Sequence, residues 1–408
     1  MRDQAESMHE EIELAPTALQ SALRVHAIAL FAVLLAAVPV LHLWRHLVLG
    51  KTTPWIPVRS QTDWPAATRA AVLDGSWMPA VERHLREVSP VVWWLRGNWN
   101  ELMLGLDLPA SDRVHVGRDG WLFLRSDANP DAGALAAGAA ARKARFAAVR
   151  DRLRVLGCEL LVSIVPDKSG VYADLRRDVG RQSKKQTLYG YLLEELRSLG
   201  IPVVDVKSAM AAMRAAEPAR ELYFRGDSHW QPYGALAAAQ AAAVFIEGGP
   251  LAAKLSPRVP VQLGARTTFH ALGDLVAMLG ICTADLPWED GRRVTVGLSL
   301  QAHSYRELRS YYAVAPDDPA LAARFDGNWP AAEVVLVGTS FAKENGLPAL
   351  MLALGRPVRM VQENGAAGIV PMTSLLEQLE QPGAVLPKVV VWEVVERGLF
   401  EPTWQKFR

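Results

Sequence analysis

The chain has 408 residues, half of them hydrophobic, with 44 Lys and Arg against 43 Asp and Glu and a net charge of +1. That length holds one large domain or two ordinary ones, with enough apolar material for a sizeable core. The balanced charge, with no basic block, gives none of the footprint of a nucleic-acid-binding protein, and two cysteines, Cys158 and Cys282, are too few for a disulfide framework or a CxxC metal site. Those cysteines are open to two readings, one bridge in an oxidising compartment or two buried thiols.

In chain order, residues 1–24 read as a polar, disordered cytoplasmic tail. Residues 25–44 (VHAIALFAVLLAAVPVLHLW) form an apolar run long enough to span a bilayer as a helix. The stretch before it is long and acidic and no small-x-small cleavage site follows, so an anchor is expected rather than a cleaved signal peptide. The charges beside it point the other way. Arg24 lies on one side, and Arg45, Lys51 and Arg59 lie on the other, which by the positive-inside rule argues against an N-terminus facing the cytoplasm. Residues 45–110 are rich in Trp and Pro and read as a packed, irregular lead-in.

From residue 111 to 408 the pattern predicts one domain. Residues 114–124 (VHVGRDGWLFL) read as a hairpin around Arg118-Asp119-Gly120, and alanine-rich residues 134–156 as a helix. Residues 159–165 (ELLVSIV) are a near-continuous apolar run, as in a parallel strand buried on both faces. A helix over 188–199, a strand over 201–206 and a helix over 232–245 follow. Residues 251–332 interrupt the rhythm and read as an insertion shaping the site. Strands at 333–337, 357–361 and 388–395 then alternate with helices at 347–354 and 374–379. Such alternation predicts an α/β fold with a mainly parallel sheet flanked by helices.

Two motifs carry chemistry. In ELYFRGDSHWQPYG, Asp227 precedes His229 by two residues; in EVVLVGTSF, Ser340 follows an apolar strand. A carboxylate can fix the tautomer of a histidine, and that histidine can take a serine hydroxyl proton. Each residue also has a plainer reading: Ser340 as a helix cap, His229 as a satisfied core histidine, Asp227 as a turn residue. Together the motifs favour a serine acyl-transfer site. Backbone N–H groups from Gly338 through Thr339 to Phe341, at a predicted helix start, are candidate oxyanion donors. Arg225 either binds substrate or pairs with a carboxylate. Lys168 either faces the cleft or lies on the surface. Asn364 either supplies a donor or makes a turn, and Glu393 with Arg397 reads as a local ion pair. Asp227 and His229 lack two further ligands at recognisable spacing, so neither a metal nor another cofactor is expected.

These segments, with VPDKSGVY, LGDLVAMLG and WEVVERGLF, resemble in order the alginate O-acetyltransferase family (AlgJ/AlgX-type) across residues 110–400. The resemblance implies an SGNH-hydrolase-like fold in which Ser340 is the nucleophile, His229 the general base and Asp227 its orienting acid. The Asp-x-His pair precedes the serine, the reverse of ordinary SGNH hydrolases. It also implies a periplasmic domain on a single inner-membrane anchor, nearer the AlgJ branch. That domain acetylates an exopolysaccharide, alginate or a similar glycan. The implied partners are a membrane-bound acyltransferase that delivers acetyl groups and other polysaccharide-secretion proteins. An acetylesterase with the same triad and a non-catalytic scaffold are the competing expectations.

Overall fold

The computed structural model describes residues 65–88, 90–125, 132–177, 188–281, 283–287, 293–297, 304–362 and 369–400, with residues 25, 26, 29 and 33. The expected anchor, Cys282 and Asn364 therefore lie outside the described residues or largely so. Among the described residues, no helix is long and apolar enough to cross a membrane.

The chain divides into two compact units, residues 1–98 and 99–408. In the first, the described part of the lead-in is helical, a correction to the irregular stretch expected there. Helix α1 (Arg69–Leu73) starts at Thr68, whose hydroxyl accepts from Ala71 N at 3.2 Å. Helix α2 (Trp77–Val88) follows, and α3 (Pro90–Gly105), whose residues are shared by the two units, opens on a proline, the residue whose fixed φ suits a first helical position.

In the second unit, β1 (Val114–Val116) and β2 (Leu122–Leu124) pair antiparallel around a turn where Gly120 takes a φ of +73°. Helix α4 (Ala132–Val155) leads into β3 (Glu159–Val165). After α5 (Leu188–Ser198), β4 keeps only Val203–Val204. The longer strand expected over 201–206 ends early because the Asp205 carboxylate accepts from Ser208 N at 3.1 Å and caps α6 (Val206–Ala216). Helix α7 (Pro232–Glu247) follows the Asp-x-His loop.

The segment over 251–332 is largely antiparallel. A long β5 (Val261–Ala271) pairs with β8 (Glu307–Pro316), and helix α8 (Asp274–Leu279) and the β6 (Thr283–Pro287) and β7 (Arg293–Gly297) pair lie between them. The chain then runs through β9 (Val334–Gly338), α9 (Leu347–Leu354), β10 (Val358–Gln362), α10 (Ile369–Leu379) and β11 (Val389–Val395). Helix α10 begins five residues before the position expected from its polar start at Ser374.

Five strands make a parallel sheet in the order β10-β9-β11-β3-β4. Along β11, Val389, Val391 and Val395 enter one apolar core with α6, α7 and α9, while Val390, Trp392 and Val394 enter a second with α4, α5 and α10. Residues alternate between faces in a strand, so a strand covered on both sides needs apolar residues at nearly every position. The result is a three-layer α/β/α arrangement with its loop-rich edge at the C-terminal ends of the strands. Cys158, directly before the N-terminal end of β3, is a buried thiol, and burial pushes it up to about 11.

Candidate active site

Ser340 lies two residues past the C-terminal end of β9, where parallel sheets present their binding sites. His229 Nε2 lies 2.7 Å from its Oγ, and His229 Nδ1 lies 2.7 Å from Asp227 Oδ1. The structure thus brings together three side chains from two loops 111 residues apart. The His229 ring also packs against Phe341 in a tilted arrangement, with centroids 4.6 Å apart and planes 35° from parallel. Trp230 Nε1 donates to Glu344 O at 2.7 Å, which ties the histidine loop to the turn after Ser340.

Asp227 is buried and fully engaged. Its Oδ1 accepts from the backbone N–H of His229 at 2.8 Å as well as from the ring, and its Oδ2 accepts from Asp274 N at 3.0 Å and from the Arg309 guanidinium. Burial alone would raise its pKa; Arg309 and His229 outweigh that and hold the carboxyl well below the usual range. Asp274 in turn accepts from Ser228 N at 2.7 Å and Oγ at 2.6 Å, and burial followed by the nearby Asp227 charge raises its pKa. One ligand-type atom each from Asp227, His229 and Asp274 lies within 4.8 Å of the others. The lone pairs of Asp227 are taken by N–H donors and a guanidinium, an arrangement suited to orienting an imidazole rather than to coordinating a cation.

His229 feels opposed forces. Burial disfavours its charged form, but Asp227 outweighs burial and raises the imidazole to about 9. At neutral pH the resting ring is therefore an imidazolium, and only its neutral form can accept the Ser340 proton. Hydrolysis of an activated acetyl ester is expected to rise with pH through about 9, read as a pH profile of kcat/KM. The stability contribution has the opposite sign. It is complete below the ordinary histidine range and is lost as pH climbs through about 9, so Tm should fall over the interval where activity rises.

The turn at Ser340 corrects part of the expected oxyanion site. Thr339 N and Oγ1 donate to the buried Glu393 carboxylate, the N–H at 2.6 Å, and Phe341 N donates to Thr339 Oγ1 at 3.2 Å. The Thr339 and Phe341 N–H groups are thus turned inward and taken up within the turn. Gly338 is needed for close approach. A Cβ there would collide with the Glu393 carboxylate and come within 2.8 Å of the Ala342 Cβ. Burial raises Glu393 to about 7 against the pull of Thr339.

Other expectations are corrected too. Lys168 neither faces the cleft nor lies on the surface. It is buried, and its ammonium donates to the carbonyls of Leu122, Arg225 and Asp227 at 2.6, 2.8 and 3.1 Å, so it fastens the β2 strand to the catalytic loop. Burial lowers it to about 7. The expected Glu393–Arg397 pair does not form; Arg397 instead pairs with Asp167 at 3.2 Å and reaches Ser228 Oγ at 3.4 Å. Arg225 takes the carboxylate reading, pairing with Glu221 at 3.1 Å, and it also lines a cleft of about 730 Å³ with Arg266, Arg306, Tyr233 and Tyr312. Sequence reading missed Arg309, Asp274, Glu307 and Glu344. Arg309 stands in a strand run, ELRSYY, with no motif around it, and no local signal marks it.

Residues 114–396 match the family described as SGNH hydrolase-like domain, acetyltransferase AlgX. A probable alginate O-acetylase AlgJ of Pseudomonas putida is 30% identical over 352 residues, covering 82% of this chain and 84% of its own length. Its counterpart from Pseudomonas syringae pv. tomato is 29% identical over 379 residues, covering 88% of each chain. Among solved structures, the O-acetyltransferase domain of Pseudomonas putida AlgJ superposes with a TM-score of 0.54 at 28% identity, over 70% of this chain and 92% of that domain. The fold, the matched residues and these relatives together show that this chain belongs to the AlgX-type family of acetyltransferases with an SGNH hydrolase-like domain.

Proposed function

We propose that the chain transfers acetyl groups onto hydroxyls of an exopolysaccharide, alginate or a similar glycan, through an acetyl-Ser340 intermediate. The observation that carries this reading is the hydrogen-bonded series Asp227–His229–Ser340 at the C-terminal edge of the parallel sheet. Neutral His229 takes the Ser340 proton as Oγ attacks the carbonyl carbon of the acetyl donor. The Ser340 N–H faces the oxyanion that forms, and Asp227 stabilises the imidazolium. The imidazolium gives its proton to the departing group. His229, neutral again, then takes the proton of a sugar hydroxyl, whose oxygen attacks the acetyl-serine carbonyl. Collapse returns that proton to Ser340 Oγ. The family relatives support the acyl transfer, and the alginate O-acetylases among them support alginate as the acceptor class.

The apolar run over 25–44 supports a single inner-membrane anchor with the catalytic unit in the periplasm. In that setting a membrane-bound acyltransferase supplies acetyl groups and other polysaccharide-secretion proteins are the neighbours. The test incubates the full chain with an activated acetyl ester and an oligouronate, and analyses the sugar by mass spectrometry. Acetylated sugar that disappears with Ser340→Ala is expected. Free acetate with no acetylated sugar would make the chain an esterase, and no Ser340-dependent turnover of any kind would leave a scaffold.

A further inference from the structure

Asp227 has two oxygens, and His229 uses only one of them. The other is held by Arg309, which comes from β8 rather than from either motif loop. Arg309 is buried, 7% exposed, and its guanidinium lies 4.7 Å from the centre of the Phe224 ring. Its Nη1 is 3.7 Å from Glu344 Oε2, on the turn that follows Ser340. One side chain therefore touches the carboxylate behind His229 and the turn that carries the serine. Its strand neighbour Glu307 accepts from the backbone N–H groups of Arg225 at 2.5 Å and Gly226 at 2.8 Å, so β8 grips the catalytic loop at two further points. The two Nη groups of this one guanidinium reach two carboxylates, Nη2 to Asp227 and Nη1 to Glu344, a fixed planar span that the single nitrogen of an ammonium does not reproduce.

We propose that Arg309 is a positioning residue for acetyl transfer, fixing Asp227 so that one oxygen faces His229 and linking the histidine loop to the serine turn. The proposal rests on the Ser340–His229–Asp227 reading above. It makes the β5–β8 arm a working part of the site. The charged and titratable groups facing the pair are Arg309, Glu307 and Tyr311 from β8, Glu344 from the serine turn, Asp274 from α8, Lys168 beside β2, and Glu393 with Arg397 at the end of β11. The groups acting on the imidazole itself are the carboxylates of Asp227, Glu344 and Asp274. Removing Arg309 takes away a cation and leaves those carboxylates, so the imidazolium becomes harder to deprotonate.

The full chain is assayed for hydrolysis of an activated acetyl ester from neutral to alkaline pH, as wild type, Arg309→Met, Arg309→Lys and Ser340→Ala, with circular dichroism to follow folding. Arg309→Met is expected to lose on the order of a hundred-fold in kcat/KM, the scale of a misplaced reacting group, and to shift its rising limb to higher pH. Arg309→Lys keeps the charge but not the planar span, so its limb should stay in place while kcat falls. A merely structural role would lower the amplitude and leave every limb at the wild-type pH. An Arg309→Met limb at the wild-type position overturns the proposal. Should Arg309→Met fail to fold, Arg309→Gln takes its place: a limb moved to higher pH supports the proposal, and a limb at the wild-type position, or wild-type kcat in Arg309→Lys, overturns it. Wild-type activity in Ser340→Ala would instead sink the underlying triad reading, a result distinct from any outcome at Arg309.

Discussion

Ser340→Ala is expected to lower kcat for acetyl transfer by about a million-fold, the loss seen when the nucleophile of a hydrogen-bonded triad is deleted. The size of the effect follows from the position of one atom. Ser340 Oγ is 2.7 Å from His229 Nε2, and among the described residues no other hydroxyl takes its place on that nitrogen. Folding should be spared, because Ser340 is half-buried and, among the described residues, its side-chain hydrogen bond runs to His229. The imidazole keeps Asp227 on its other side, so no buried charge is left unpaired. The check is twofold: release of the leaving group from an activated acetyl ester, and trapping of acetyl on the protein after a rapid acid quench. Wild type should accumulate label on Ser340 and the variant should not. Label on another residue of the variant would move the nucleophile elsewhere.

Asp227→Asn is expected to cost about ten-thousand-fold in kcat, because the amide no longer secures the tautomer that leaves Nε2 free to accept the serine proton. Unlike the serine change, it should also destabilise the fold. Arg309 would lose a buried ionic partner and Asp274 N a charged acceptor, a loss on the order of 3–5 kcal/mol for a broken buried pair. With the raising carboxylate gone, burial acts on His229 unopposed by its main partner, and the imidazole falls from about 9 toward or below its ordinary value. The residual activity should therefore have its limb at lower pH, the opposite direction from Arg309→Met. Urea titration measures the stability loss and a pH profile of the residual rate measures the shift. A variant as stable as wild type would show that the Arg309–Asp227 pair contributes nothing net.

Strands β3, β9 and β11 were legible as runs because a strand buried on both faces must be apolar at almost every position. β4 was overestimated because IPVVDV has strand-like residues while its aspartate caps a helix, and a cap overrides a short β preference. The antiparallel β5–β8 pair was missed as a unit. Its strands are separated by more than thirty residues and their pairing leaves no short-range trace. The same distinction runs through the site. Asp227 and His229 are two residues apart, and a motif records them; Arg309 is 82 residues from Asp227, and nothing near it does.

The alternation of strands and helices, the Asp-x-His and Gly-Thr-Ser motifs, and the chemistry those residue types can perform are all legible in the amino-acid order, because each depends on neighbours within a few residues. Only the tertiary structure decided that the two loops meet at hydrogen-bonding distance and that Thr339 and Phe341 turn their N–H groups inward. It also decided that Lys168 is a buried fastener rather than a cleft residue, and that Arg309 completes the shell of Asp227. Those facts depend on which atoms fill the space around a buried carboxylate, and chain segments far apart in sequence supply them.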